Sequence, residues 1–476
     1  MSLYLTCSWE KRDIYKAMIM RDDICALVLA AGKGTRMKGS IPKVLYGLLG
    51  EPILWYVHRE LVSLLGEGSI FYVLGYKREM IESSLEFVRA ASIYQERQLG
   101  TGDAFRCAYP LLREKGYRWC LVVNGDVPFL EVEELKRLLE LTLEQESALS
   151  FLSIVLEDPT GYGRVIRDES GMVLKVVEEK DIERNEERLI KEVNAGIYVV
   201  DLEVVGPYLE RLSNDNAQGE YYLPDLISLF LEDDRDVLAV KAEGGEDFLG
   251  INTCRELIRC DEILRSRIVE DLLDRGVVIY NPQAVRIGPR VDIAPGVILC
   301  GPVELYGDTL LQEDVRVESH VWMKDVEVGR GAHILGFSHL EGASIGAGCI
   351  IGPFARIRPG TVIDEGAKVG NFVEIKKSHL FPGVKASHLS YLGDSEIGEG
   401  TNIGAGTITC NYDGKRKHKT VIGRDVFVGS NTSLVAPLNI GEGALIGAGS
   451  TITRDVPEGC LSVARARQKN LVKKRH

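Results

Sequence analysis

The sequence predicts a mixed fold: an α/β domain with a mostly parallel sheet, then an all-β parallel β-helix built from hexapeptide repeats. Two observations carry this expectation. Before about residue 252, short apolar runs alternate with longer segments of helical periodicity; from about Gly276 to Val456, aliphatic residues recur every sixth position. Strands that alternate with helices build parallel sheets covered on both faces. A six-residue period suits neither a helix nor a half-buried strand. It suits coils in which a short strand and a tight turn repeat.

Taken in order, residues 1–21 read as an N-terminal extension. They lack the apolar core and cleavage signature of a signal peptide, and Met18 and Met20 are alternative starts. The chain of 476 residues carries a formal net charge of −13 and is 45% hydrophobic, an acidic balance that argues against general nucleic-acid binding. No apolar run reaches the roughly 20 residues of a membrane span. Ten cysteines without a CxxC pair suggest neither a disulfide framework nor a zinc site. Reduced thiols in a cytoplasm are expected.

ICALVLA, from Ile24, reads as a buried strand and leads into AGKGTRM and then IPK. Gly32 and Gly34 let the backbone approach a phosphate, and Lys33, Arg36 and Lys43 bring positive charge to it. The loop is neither a Walker motif nor a dinucleotide fingerprint, and by itself reads equally as a plain structural turn. EPILWYVHRELVSLL and DAFRCAYPLLREKG follow as helices, SIFYVLG and YRWCLVVNGD as strands. Asp126 falls just past the last of these, where ligands bind in such sheets and where an aspartate can share a magnesium ion with a phosphate. A turn or helix-capping role is the alternative for it.

LAAGKGTRM, IPK, QERQLGTGDA, NGDVP, DPTGYGRVIR, VVEEKD, EVNAGIYV, NAQGEYYLPD and GIN resemble, in order and spacing, the pyrophosphorylase domain of the bifunctional N-acetylglucosamine-1-phosphate uridyltransferase/glucosamine-1-phosphate acetyltransferase family. The resemblance covers nearly all of residues 22–467. It implies a Rossmann-like nucleotidyltransferase domain (22–252), a linker helix (253–275), a left-handed β-helix acetyltransferase domain (276–460) and a basic tail (461–476). Handedness rests on the resemblance alone, since right-handed crossovers are the general rule.

By that resemblance Leu29, Ala30, Ala31 and Gly32 meet the uridine nucleotide through backbone groups and Lys43 contacts its phosphates. Gln95, Gly100 and Thr101 recognise uracil. Gly163, Glu178 and Asn194 hold the N-acetylglucosamine moiety, Asp126 and Asn252 bind Mg2+, and Arg36 stabilises charge during transfer. Asn124, which precedes Gly125 and Asp126 in the substrate-binding segment, stands where the family commonly has an aromatic or small hydroxyl residue; its amide can hydrogen-bond a ribose or phosphate oxygen.

TCRELIRCDEILRSRIVEDLLDRG then carries Leu257, Leu264, Ile268 and Leu272 at helical spacing, with Gly276 as a stop. The sixfold period starts at Ile287, slips near Val328, resumes through Ile345, Ile351, Ile357, Ile363, Val369 and Ile375, and returns at Ile422, Val428, Leu434, Ile440, Ile446 and Ile452. Roughly ten coils at about 4.8 Å each are expected. Polar residues interrupt the pattern between Arg358 and Tyr412, and ITCNYDGKRKHKT breaks it, an insertion of the kind that marks the binding face of a solenoid. The loop carries Lys415, Arg416, Lys417 and Lys419.

Seven of the eight histidines read as structural. His388 lies in KASHLSYLGD, which resembles the family's acetyl-transfer site, where an imidazole can take a proton from a substrate ammonium. By the same resemblance Arg358 and Lys376 grip glucosamine 1-phosphate, Tyr391 and Asn402 orient the sugar, and Ala405, Asn411, Tyr412, Ser430, Ala448 and Arg465 meet acetyl-CoA. The implied partners are UTP, acetyl-CoA, glucosamine 1-phosphate and N-acetylglucosamine 1-phosphate, in a homotrimer with neither nucleic acid nor membrane. Two other readings remain: a nucleotidyltransferase whose β-helix only assembles or regulates, and a non-catalytic assembly protein. Intact NFVEIKK, SHLSYLGD and TCNYDG argue against the first, and Arg36, Lys43, Asp126, Asn252 and His388 together argue against the second.

Overall fold

A computed structural model describes residues 21–243 and 250–471. Of the expected N-terminal extension only Arg21 is described, and the last five residues of the basic tail lie outside the described residues. The chain divides into two compact units between Cys260 and Asp261, within the helix Cys254–Asp274.

The N-terminal unit is a nine-stranded sheet. Its main path runs Val237–Lys241, Leu149–Val155, Glu192–Asp201, Trp119–Asn124, Ile24–Ala30, Ile70–Leu74 and Ser92–Tyr94. Along this path only Glu192–Asp201 pairs antiparallel with its neighbours. The strand Ile24–Ala30 is continuously apolar because both of its faces are covered. Ile24, Ala26 and Val28 pack with Leu54, Val57 and Leu61 of the helix Ile53–Leu65, while Cys25 and Leu27 pack with Phe105, Ala108 and Leu112 of the helix Thr101–Glu114. Chain order departs in opposite directions from Ile24–Ala30, to Ile70–Leu74 on one side and Trp119–Asn124 on the other. The crevice beyond their carboxyl ends is therefore the topological switch point.

The C-terminal unit is a parallel β-helix. One face is an 11-stranded sheet from Val278–Tyr280 to Leu461–Ser462; the other two are joined into a 17-stranded sheet. The long strands Val321–Val328 and His339–Ile345 each pair in both of those faces. Every aliphatic residue of the resumed period is at most 3% exposed, forming one internal ladder. Full burial of such a side chain contributes about 1.5–3 kcal/mol.

The slip near Val328 has a simple cause. Ile298 pairs with Arg316 after a full three hexads, but Arg316 pairs with His333, so that coil is one position short of three hexads. The insertion acts the opposite way: Asn402 pairs with Phe427, and the coil between them is stretched by more than a hexad.

Candidate functional site

Apart from Asn402, the expected residues gather in two places, one in each unit. In the first, Leu29 lies in register with Asn124 at the ends of their strands, and Gly125 N–H donates to Leu29 O at 2.9 Å. The loop after Ala30 turns at Gly34, whose φ is +59°; a Cβ there would meet Lys43 Cβ at 2.8 Å, so glycine is required both for the turn and to let Lys43 pack. A Cβ on Gly32 would meet nothing within 4 Å, leaving that backbone open to a ligand. The short turn Thr35–Met37 carries Arg36, and Lys43 follows Pro42.

These cations converge on two oxygens. Lys43 Nζ forms a short ion pair with the Asp126 carboxylate and donates to Asn252 Oδ1 at 3.1 Å, and Arg36 donates to the same Asn252 oxygen at 2.9 Å. Asp126 and Asn252 are tied together by backbone as well, since Ile251 N–H donates to Asp126 O at 2.9 Å. Asn252 is fixed from below by a capping box that sequence reasoning missed. Glu256 accepts the N–H groups of Asn252 at 2.6 Å and Thr253 at 3.0 Å, and Thr253 Oγ1 accepts Glu256 N–H at 3.2 Å. The signal was present as Thr-x-x-Glu before an apolar helix.

Asp126 and Asn252 supply oxygen donors only, with a lysine ammonium seated between them. A hard cation that takes one or two protein oxygens and completes its shell from substrate phosphates fits this donor set, which describes Mg2+. Among the described residues no cluster of three or more His, Cys, Asp or Glu offers a protein-only metal cage.

Asp126 and Asn252 also line a cavity of about 200 Å³, with Gly163, Glu178, Asn194 and Thr101 around it. Asn194 N–H donates to Gly163 O at 2.9 Å, and a Cβ on Gly163 would meet the Glu178 carboxyl at 3.0 Å. The Asn194 side chain is held by Gly196 N–H at 3.0 Å and by the Tyr198 hydroxyl, at a bulge where the register of Glu192–Asp201 shifts. Asn124 reaches over Gly196, where a Cβ would meet its amide nitrogen at 2.4 Å. Burial, reinforced by Asp225 and Asp181 and opposed by Arg164, pushes the Glu178 carboxyl up to about 7; burial and Asp181 push Asp225 up to about 6. Glu178 can therefore donate a proton to a ligand oxygen near neutral pH. Nearby, the buried Gln95 amide donates to Gly100 O at 3.1 Å and to Asp103 at 2.8 Å, and Thr101 Oγ1 accepts Leu223 N–H at 3.0 Å.

In the second place, on the β-helix, His388 ends the strand Lys385–His388 and is exposed. Its Nδ1 lies 2.8 Å from Asn371 Oδ1. Tyr391 stacks one coil above Glu374, which accepts from Arg358 at 2.8 Å. Lys376 is crowded by another cation: the neighbouring Lys417 ammonium, with Arg358 beyond it, lowers its pKa. Lys417 thus joins Arg358 and Lys376 in one cationic cluster, although the sequence marked only its loop as basic.

That loop is well braced. Tyr412 and Lys417 pair antiparallel, and Asp413 accepts Lys415 N–H at 2.7 Å, Arg416 N–H at 2.6 Å and His418 Nε2 at 2.7 Å. These donors hold the Asp413 carboxyl down to about 2. Asn411, 7% exposed, donates to Asp394 at 2.5 Å. Ala405, Ser430 and Ala448 form a column through successive coils, where Ala405 O accepts Asn431 N–H at 2.7 Å, Ser430 O accepts Gly449 N–H at 2.8 Å and Ala448 O accepts the Arg465 guanidinium at 2.6 Å. Asn402 pairs with Lys385, at the opposite end of that strand from His388, and its side chain makes no hydrogen bond with the described residues. A depression of about 600 Å³ along the turns, bordered by Glu365, Glu399, Arg424 and Asp425, contains none of the expected residues.

Comparison with known proteins agrees with this division. A MobA-like NTP transferase domain matches residues 26–170, and a bacterial transferase hexapeptide (six repeats) matches residues 342–377 and 419–454. The chain is 48% identical over 453 residues to a bifunctional protein GlmU of Nitratidesulfovibrio vulgaris (strain Hildenborough), covering 94% of this chain and 98% of that protein. It is 44% identical over 461 residues to a protein of the same name from Lawsonia intracellularis, covering 96% of this chain and 100% of that one. A third, from Pseudomonas putida (strain KT2440), is 44% identical over 445 residues, covering 94% and 96%.

Proposed function

This chain belongs to the bifunctional GlmU family and is a glucosamine-1-phosphate acetyltransferase and N-acetylglucosamine-1-phosphate uridyltransferase, from which we propose the residues that carry each reaction. Uridylyl transfer belongs to the cleft around Lys43, Asp126 and Asn252, and acetyl transfer to the surface around His388.

In the cleft, an oxygen of N-acetylglucosamine 1-phosphate attacks the α-phosphorus of UTP, the bond from that phosphorus to the α,β-bridging oxygen breaks, and pyrophosphate leaves. Two anions must be brought together, so positioning and charge neutralisation do most of the work. Lys43 and Arg36 supply fixed positive charge. The backbone from Leu29 to Gly32 receives the nucleotide, Gln95, Gly100 and Thr101 read the uracil, and Gly163, Glu178 and Asn194 seat the acetamido sugar. Asp126 and Asn252 would hold Mg2+, which when bound supplies further neutralisation of phosphate charge. The observation that supports this reading most strongly is the meeting of Arg36, Lys43 and Asp126 around Asn252.

On the β-helix, His388 removes a proton from the ammonium of glucosamine 1-phosphate. The free amine attacks the thioester carbon of acetyl-CoA, the carbon–sulfur bond breaks, and the thiol of coenzyme A leaves with a proton. Arg358, Lys376 and Lys417 face the sugar phosphate, Tyr391 and Asn402 orient the sugar, and the column of Ala405, Ser430 and Ala448 with Asn411, Tyr412 and Arg465 receives acetyl-CoA.

The acting form is a homotrimer in a cytoplasm, feeding envelope polysaccharide synthesis. An apolar stripe at one edge of the β-helix supports association: Phe337, Phe354, Phe372 and Leu389 are each about half exposed, and the rings stack at 4.9 and 5.2 Å. The nine described cysteines are all free, which fits a reducing compartment, and no described helix is long and apolar enough to cross a membrane. Purified protein incubated with glucosamine 1-phosphate, acetyl-CoA, UTP and magnesium, with each omitted in turn, tests the scheme. Pyrophosphate should require every component, while free thiol should need only the sugar phosphate and acetyl-CoA. Thiol release that depends on UTP contradicts it.

A further inference from the structure

Among the polar residues around His388, one touches its imidazole directly and has no role in the scheme above. We propose that Asn371 is a positioning residue for acetyl transfer: its side-chain carbonyl accepts the Nδ1 proton of His388 and leaves the Nε2 lone pair as the proton acceptor. The inference rests on the reading of His388 as the base.

The geometry is built into two successive coils. Asn371 ends the strand Lys368–Asn371, His388 ends Lys385–His388, and the two residues are partners in register. The coils approach closely at this point, because a Cβ on Gly370 would lie 2.0 Å from Ser387 O, a contact only glycine permits. Both coils then turn the same way, through left-handed conformations at Phe372 (φ +56°) and Leu389 (φ +48°), and Leu389 N–H donates to Asn371 O at 3.0 Å. Backbone on both sides of the pair is thus fixed, and the side chains stack with 2.8 Å between Oδ1 and Nδ1.

An amide oxygen only accepts hydrogen bonds, so the nitrogen facing it must carry the proton. A neutral imidazole has one N–H, which places the lone pair on Nε2. Asn371 is uncharged, so it sets the tautomer and the ring plane without pairing a carboxylate with the imidazolium formed during transfer. Glu374, the nearby carboxylate on the adjoining strand, is engaged by Arg358.

Three measurements on the full-length enzyme test this. With 15N-labelled histidine, the His388 resonance, identified by its loss in His388→Asn, should show a protonated Nδ1 and an unprotonated Nε2 in the neutral wild-type protein; a protonated Nε2 overturns the inference whatever the variants do. Asn371→Ala should lower kcat for acetyl transfer about 10–100-fold, part of what a general base contributes, with KM for both substrates within twofold and uridylyl transfer unchanged. Asn371→Asp, which keeps the acceptor, should recover kcat to within about fivefold of wild type at pH 9, where an imidazole beside a carboxylate is neutral. Wild-type rates in Asn371→Ala, or equal losses in the two variants, refute the positioning role. Should His388→Ala itself retain acetyl transfer, the base assignment fails instead, and the tautomer measurement still reads the contact.

Discussion

Arg36 and Asn252, 216 positions apart in the chain, are joined by a hydrogen bond of 2.9 Å from the guanidinium to the side-chain carbonyl. That same oxygen also accepts from Lys43, so one neutral amide holds two cations beside the Asp126 carboxylate. Such a cluster is preorganised for anions, because its positive charge is fixed before the substrate arrives. Arg36→Ala should lower kcat for uridylyl transfer by about 10²–10³-fold. Asn252→Ala should raise the magnesium concentration needed for half-maximal uridylyl transfer about tenfold or more. Steady-state pyrophosphate release over a magnesium series checks both, and a magnesium dependence identical to wild type removes Asn252 from the metal site.

Glu178 gives a pH prediction with a definite sign. Its carboxyl is raised to about 7 in the folded state, from an ordinary value near 4.5. Between those values the folded chain holds a proton that the unfolded chain has lost, so Glu178 subtracts stability as pH rises from about 4.5 to about 7. The full effect is on the order of 3 kcal/mol, at about 1.4 kcal/mol per pH unit. Glu178→Gln, which cannot ionise, should match wild type near pH 5 and be the more stable protein near pH 8 in denaturant unfolding. Parallel stability profiles for the two proteins contradict the shift.

Lys417 is expected to act on the sugar phosphate. The Lys417 ammonium, with the Arg358 guanidinium beyond it, makes Lys376 easier to deprotonate, and a bound phosphate relieves that repulsion. Lys417→Ala should raise KM for glucosamine 1-phosphate about tenfold, leave KM for acetyl-CoA within twofold, and weaken the salt dependence of that KM. An unchanged KM means the loop does not reach the phosphate.

The ladder inside the β-helix sets its stability. Ile375 is fully buried between Ile357 and Leu392 of neighbouring coils. Ile375→Ala should cost about 2–5 kcal/mol, since stacked coils cannot easily collapse around the void. Loss of acetyl transfer at a lower urea concentration than wild type, with uridylyl transfer retained, is the expected outcome.

Much of this was legible in the chain because periodicity is a local signal. The sixfold ladder from Ile345 to Ile452 reads directly as internal, and each residue in it is buried. Convergence is not local. Nothing in the spacing of Asn371 and His388 says that they touch, because the coils differ in length and only the folded register aligns them. The antiparallel course of Glu192–Asp201 is hidden for a similar reason: its apolar run looks like any buried strand, and direction is set by the connections around it. The raised carboxyl of Glu178 depends first on burial and then on Asp225 and Asp181, and only the fold brings these about. The capping box at Thr253 and Glu256 was readable in sequence; what it positions, Asn252, needed the structure.

Two pockets on one polypeptide are proposed to work independently. Initial rates of free-thiol release and of pyrophosphate release, the latter from supplied N-acetylglucosamine 1-phosphate, test it directly in wild type, Lys43→Ala and His388→Ala. Lys43→Ala should lose pyrophosphate release and keep thiol release, and His388→Ala should do the reverse. If either variant loses both activities while remaining folded, or keeps both, the two-pocket account is contradicted.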